Sequence, residues 1–264
     1  MNQINYGMPT LIETNTLREC AKLCSELGLD FIELNMNLPQ YQLNKINADY
    51  FKNIADKYGI YYTIHLDENL NVCDFNSYVA EAYIKTVADT IETAKQLDIK
   101  VLNMHMAKGV YFTLPDRKVL LFSEYKEQYI NSIVDFRNMC EAAIGENDIK
   151  ICIENCDGYE EFQKEAIELL LESKVFALTF DVGHNHGIGG TDKEFIMKHK
   201  DRLCHIHLHD AKGRNNHLAL ATGEIDIKKY IDIANEQNCR VVLETKTIDG
   251  LKQSVEWLKG DKKW

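Results

Sequence analysis

Thr179-Phe180-Asp181-Val182-Gly183-His184-Asn185-His186-Gly187 and Cys204-His205-Ile206-His207-Leu208-His209-Asp210-Ala211-Lys212 share one pattern. In each, a short apolar alternation of β-strand period breaks into Asp, His and Gly. Side chains capable of chemistry are thereby delivered at the C-terminal end of a strand. Asp and His are also ligands that divalent cations accept.

Working outward, the same unit recurs along the chain. An apolar segment spans Ile4 to Ile12, and Thr16-Leu17-Arg18-Glu19 has the form of a capping box opening a helix. That helix carries Leu17, Cys20, Ala21, Cys24 and Leu27 at helical spacing and stops at Gly28. The remaining strand expectations are Phe31–Asn35, Tyr61–His65, Lys100–His105, Lys150–Glu154, Ala177–Asp181, Leu203–His207 and Arg240–Glu244. Helices are expected between and after them, at 48–58, 78–97, 125–144, 160–173, 193–200, 227–237 and 251–259. From position 35 the strand ends fall at 65, 105, 154, 181, 207 and 244, so they are 26 to 49 residues apart. That suits a strand–helix unit of roughly 30 residues. Strands alternating with helices imply parallel pairing, and eight units point to an α/β fold, a single-domain (β/α)8 barrel over 1–264. An open doubly wound sheet is the competing expectation, but no Gly-rich phosphate loop follows the first strand.

Composition fits this fold. The chain has 264 residues and 45% hydrophobic content, enough for a large core. No apolar run approaches about 18 residues, so no membrane span is expected. Met1-Asn2-Gln3-Ile4-Asn5 lacks a basic flank and an apolar stretch, so the expected compartment is the cytoplasm. The eight cysteines form no C-x-x-C pair and are expected to be buried thiols, although Cys20/Cys24 and Cys152/Cys156 have a spacing a metal clip could use. The formal charge of −11, from 30 basic and 41 acidic residues, opposes binding to a phosphate backbone, so nucleic acid is not an expected partner.

In such a barrel the C-terminal strand ends line one mouth, where active sites lie. They are His65, His105, Glu154, Asp181 with His184, His207 with His209 and Asp210, and Glu244. One strand ending in His or Glu means little; six consecutive strands doing so have no structural explanation. Glu154, Asp181, His207 and Glu244 place three carboxylates and an imidazole on neighbouring strands. Three anions in one mouth repel unless a cation joins them. One divalent metal is therefore expected, with Mn²⁺, Mg²⁺ or Co²⁺ favoured by the oxygen-rich set and Zn²⁺ compatible with it. Glu154 and Glu244 are also placed to act as an acid/base pair.

The strand endings Ile153-Glu154-Asn155, Phe180-Asp181-Val182-Gly183-His184 and His205 to Asp210, followed by His217, Gly223-Glu224-Ile225-Asp226 and Leu243-Glu244, resemble the xylose isomerase-like TIM-barrel superfamily. The match keeps order and spacing over essentially the whole chain. The superfamily holds sugar and sugar-phosphate isomerases and epimerases, and the endonuclease IV group of apurinic-site nucleases. The resemblance implies that Glu154, Asp181, His207 and Glu244 are the ligands of a single metal, as in the ketose epimerases. It implies a substrate contact at His184 and a substrate-binding carboxylate at Glu160, a position that also suits a helix N-terminal acid. The endonuclease group would add His65 and His105 for one further metal, and His184, an Asp and His217 for another. Here that Asp is Asn215, which puts the three-metal cluster in question. His65, His105 and His217 stay open between substrate contact and second metal ligand. Arg214 and Lys212 lie where a phosphate would be met, and Lys246 is either a partner of Glu244 or a substrate donor. His186, His199, His205 and His209 are expected to be packing or surface residues.

The functional expectation is an isomerase or epimerase of a sugar, sugar phosphate or related polyol, working by proton transfer through a metal-stabilised enediolate. A dehydratase or lyase using the same intermediate is a close variant. The alternatives are an apurinic-site phosphodiesterase and a metal-binding barrel without turnover. A small sugar-like substrate is the expected partner, and a homo-oligomer is compatible with the sequence.

Overall fold

The structure, a computed structural model, describes residues 4–260. Eight parallel strands run in chain order: β1 (Tyr6–Pro9), β2 (Phe31–Asn35), β3 (Tyr61–His65), β4 (Val101–His105), β5 (Lys150–Glu154), β6 (Phe176–Asp181), β7 (Leu203–Leu208) and β8 (Arg240–Leu243). Each pairs with its neighbours in sequence, and β8 closes on β1 through Tyr6 opposite Val241 and Gly7 opposite Val242. The expected (β/α)8 barrel is thus the fold, and the doubly wound alternative is excluded by closure.

The helices form where the sequence places apolar residues at helical spacing. Leu17–Leu27 buries Leu17, Cys20, Ala21 and Cys24 against the barrel. Its capping box closes one residue early: Thr16 Oγ1 accepts from Glu19 N at 3.2 Å, but Glu19 Oε2 accepts from Asn15 N at 2.9 Å. Gly28 and Gly59 end the first two helices at φ 72° and 65°, a left-handed turn that only glycine adopts without cost.

Four features depart from the expected pattern. The long connection after β4 folds into a hairpin, Tyr111–Thr113 against Lys118–Leu120, and the one after β7 folds into another, Asp210–Lys212 against Asn215–Leu218. Three- and four-residue strands are too short to show a period. A six-residue helix, Val182–Gly187, starts directly at the end of β6, and the last helix begins at Ile248 rather than Leu251. All eight cysteines are free, six of them buried, and Cys156 lies close to Glu154 and His184. Among the described residues no helix is long and apolar enough to cross a membrane.

The barrel interior is apolar at one end and ionisable at the other. Phe31 fills the N-terminal end, so close under Gly7 that a Cβ there would come within 2.5 Å of its ring. Above it lie Glu33, Thr63, Asn103, Glu154, Thr179, Asp181, His205 and His207, none more than 2% exposed. Polar groups buried this deeply must pair with one another or with an ion.

Candidate metal centre

Strand register brings the mouth residues together. His105 lies opposite Glu154 in the β4–β5 pair, Asp181 opposite His207 in β6–β7, and Val242 opposite His207 in β7–β8, so Glu244, two residues on, rises beside it. His207 Nδ1 stands 3.2 Å from Glu154 Oε1, 3.1 Å from Glu244 Oε2 and 3.8 Å from Asp181 Oδ2. One ligand atom from each of Glu154, Asp181, His207 and Glu244 lies within 4.8 Å of the other three. His207 Nδ1 and Glu244 Oε2 are buried without a hydrogen-bond partner. Three carboxylates and an imidazole with orphaned atoms aimed at one point match the donor set of a divalent cation. The residues therefore fit the expected metal.

Each of the four has a partner behind it. Glu33 Oε1 lies 2.8 Å from His207 Nε2, off the line of a straight hydrogen bond, and Glu33 Oε2 is 2.9 Å from His205 Nε2. Glu33 thus keeps a proton on Nε2, and Nδ1, which faces Glu154 and Glu244, is the nitrogen whose proton a bound cation would displace. Asn103 Nδ2 donates to Glu154 Oε2, its amide held the right way round by Thr179 Oγ1, which donates to Asn103 Oδ1 at 2.6 Å. His209 Nε2 is 3.1 Å from both carboxylate oxygens of Asp181. Lys246 Nζ donates to Glu244 Oε1 at 2.8 Å. Such outer partners orient ligands and set their basicity.

Electrostatics follow from this packing. Burial pushes the Glu154 and Glu244 carboxyls up, but His207 with His105, and His207 with Lys246, outweigh it and hold them well below the usual carboxylate range. Glu33 is likewise depressed, by His207 and His205 against its burial. Burial alone would lower His65 and His207; the carboxylates around them raise both, His65 to about 9. Burial takes His217 down to about 4. Protons on these imidazoles thus offset the carboxylate charge, and a cation held by the four residues would have to displace them.

The other candidates fall into two groups. His65 and His105 each bring Nε2 to 3.3 Å from Glu154 Oε2, and the Nε2 of His105 has no hydrogen-bond partner. His184, from the short helix that Asp181 caps, sets Nδ1 3.4 Å from Asp181 Oδ2, while its N–H donates to Asp181 Oδ1 at 2.6 Å. His217 donates from Nδ1 to the carbonyl of Glu244 at 3.0 Å. These lie around the ring. Glu160 and Arg214 do not join it. Glu160 caps the helix Glu161–Leu171, its N–H donating to Gln163 Oε1 at 3.0 Å, and pairs with Lys108 at 3.5 Å. Arg214 is exposed on the second hairpin and lines a pocket of about 330 Å³ beside His184 and Cys156. Asn215 is exposed on the same hairpin, opposite Lys212.

Two residues were not legible as part of the site. His209, expected to be a packing or surface residue, is fully buried and packs against the carboxylate of Asp181. Glu33 lies in the middle of β2, so attention to strand ends passes over it. Its signal was a lone acid in an otherwise apolar strand, Phe31-Ile32-Glu33-Leu34.

Fold and site together define a β/α barrel with a carboxylate–imidazole centre at the C-terminal mouth. Residues 21–260 match the family model of the xylose isomerase-like TIM barrel, and the chain belongs to that family. An uncharacterized protein of Methanocaldococcus jannaschii, MJ1614, is 27% identical over 78% of this chain and 79% of its own. Among solved structures, a D-tagatose 3-epimerase-like protein superposes with a TM-score of 0.80 at 23% identity, covering 97% of this chain and 96% of that one. The 3-keto-D-glucoside 4-epimerase YcjR of E. coli gives 0.78 at 15% identity, covering 98% and 100%. The IolI protein with a bound zinc atom gives 0.73 at 17%, covering 98% and 97%. At these identities the likeness is one of fold.

Proposed function

We propose that this protein is a divalent-metal-dependent isomerase or epimerase of a small sugar, sugar phosphate or related polyol. The observation that carries it is the pair Glu154 and Glu244, on either side of His207 Nδ1 at 3.2 and 3.1 Å. Glu154, Asp181, His207 and Glu244 would hold the ion, whose charge acidifies a C–H next to a carbonyl and stabilises the anion left behind. Glu154 and Glu244 remove and return the proton, each kept ionised by the cations around it. Lys246 holds one oxygen of Glu244, so its other oxygen is the one presented to the mouth. His184 and His217, beside the same ring, would bond substrate hydroxyls. The names of the structural neighbours, sugar epimerases among them, support this substrate class.

Incubation of Mn²⁺-loaded protein with a panel of ketoses in D₂O tests the reading. Deuterium should enter carbon next to the carbonyl, and Glu154→Gln and Glu244→Gln should each lose about 10²–10⁴-fold of that rate. No exchange with any sugar of the panel counts against it. The cluster His65–His105–Glu154 supports a second reading, a phosphodiesterase with more than one ion. Metal analysis separates the two: one ion per chain fits the first, and two or more with cleavage of abasic DNA fits the second.

A further inference from the structure

His209 lies just past the end of β7 and is wholly buried. Its Nδ1 accepts the backbone N–H of His217 at 2.8 Å. That contact is shorter than the 3.4 Å from Nδ1 to the carbonyl of Asp210, so Nδ1 is the acceptor and the ring's N–H is at Nε2, facing both oxygens of Asp181 at 3.1 Å. The ring occupies a slot that exists because residue 183 is glycine: a Cβ there would sit 2.8 Å from His209 Nε2, and nearer still to Cε1 and Nδ1. His209 stacks on His217 with ring centroids 4.3 Å apart, and His217 Nδ1 donates to the carbonyl of Glu244. The hairpin that carries His217 is pinned at its base by Asp210, which accepts from Ala211, Ile225 and Gly223 N–H groups at 2.8, 3.0 and 2.8 Å.

We infer that His209 is a positioning residue for the metal centre: it turns Asp181 so that Oδ2 faces the ring and, through His217, ties the ligand of β6 to the ligand after β8. Both of its nitrogens are occupied, so it is not itself a ligand, although its ring lies with those of His184 and His217 in a group close enough to hold an ion. His209 touches both oxygens of Asp181, but Oδ1 also accepts from His184 N–H, so Oδ2 is the oxygen with more capacity left to coordinate. The inference rests on the metal-centre reading given above.

Two measurements test it. In metal-free wild-type protein labelled with ¹⁵N at histidine, at pH 8, His209 should carry its proton on Nε2 and none on Nδ1. A proton on Nδ1 overturns the inference, with no variant and no metal involved. With Co²⁺ as the probe, His209→Leu removes the donor at similar volume and should weaken binding about tenfold or more and alter the visible absorption of the bound ion. His209→Gln keeps an N–H at the reach of Nε2 and should restore most of that affinity. Co²⁺ binding and absorption unchanged in His209→Leu, or an equal loss in both variants, overturns it. If His209→Leu does not fold, the nitrogen measurement decides alone. Failure of solvent exchange with Co²⁺ binding intact would count against the proposed reaction and leave His209 in place.

Discussion

Gly183→Ala is the most local perturbation of this centre. The added methyl would stand 2.8 Å from His209 Nε2 and closer to two other ring atoms, against an ordinary contact of about 3.5–4 Å. Because Cε1 and Nδ1 lie closer than Nε2, the imidazole or the turn after β6 must then move by about 1–2 Å. Neither moves freely, because the ring is held by His217 N–H at 2.8 Å and by Asp181 at 3.1 Å. Overpacking of this kind costs about 1–3 kcal/mol, and a weakened bond to a charged group adds about 1–2 kcal/mol. For a chain of this size that is a fall in Tm of roughly 5–12 °C. Gly187→Ala, in the same short helix, is the control: its Cβ would meet nothing nearer than Arg214 Cα at 3.8 Å, so stability should change by less than about 0.5 kcal/mol. Thermal melts followed by circular dichroism, each with and without Co²⁺, compare the two. Equal Tm values for the two variants, or a Gly183→Ala protein that melts and binds Co²⁺ like wild type, would refute the slot.

Metal affinity should rise with pH. His207 and His65 are raised by their carboxylate partners, His65 to about 9, so below that range protons compete with the ion and above it they do not. Calorimetry in buffers of different ionisation enthalpy should find proton release on Mn²⁺ binding at pH 7, and none would contradict the assignment. Lys246→Met removes a cation that holds Glu244 low, so the acid limb of the exchange rate should move to higher pH; an unmoved limb would assign Lys246 to substrate instead. Mn²⁺ at a thousand times its dissociation constant should stabilise the fold by about 4 kcal/mol, read as a rise in Tm that a chelator reverses.

The sequence by itself determined the barrel and most of its helices, because those depend on local period and on single punctuating residues. Phe31–Asn35 and Tyr61–His65 are short, mostly apolar runs of strand length, Leu17–Leu27 keeps helical spacing, and Gly28 and Gly59 supply the left-handed turns that stop their helices. Once strands alternate with helices, parallel pairing puts every C-terminal strand end at one mouth, and so Glu154, Asp181, His207 and Glu244 meet. The tertiary structure alone decided what stands behind them. Glu33 reaches His205 from 172 residues away, across a closed barrel, in a register no local pattern encodes. His209 and His205 read alike in the chain, two imidazoles flanking His207. The end of β7 turns one toward Asp181 and Gly183, while the other stays deeper in the barrel against Glu33. A strand period specifies the side on which a residue lies; the partner it meets there depends on barrel closure and on loops whose packing is set by residues distant in sequence.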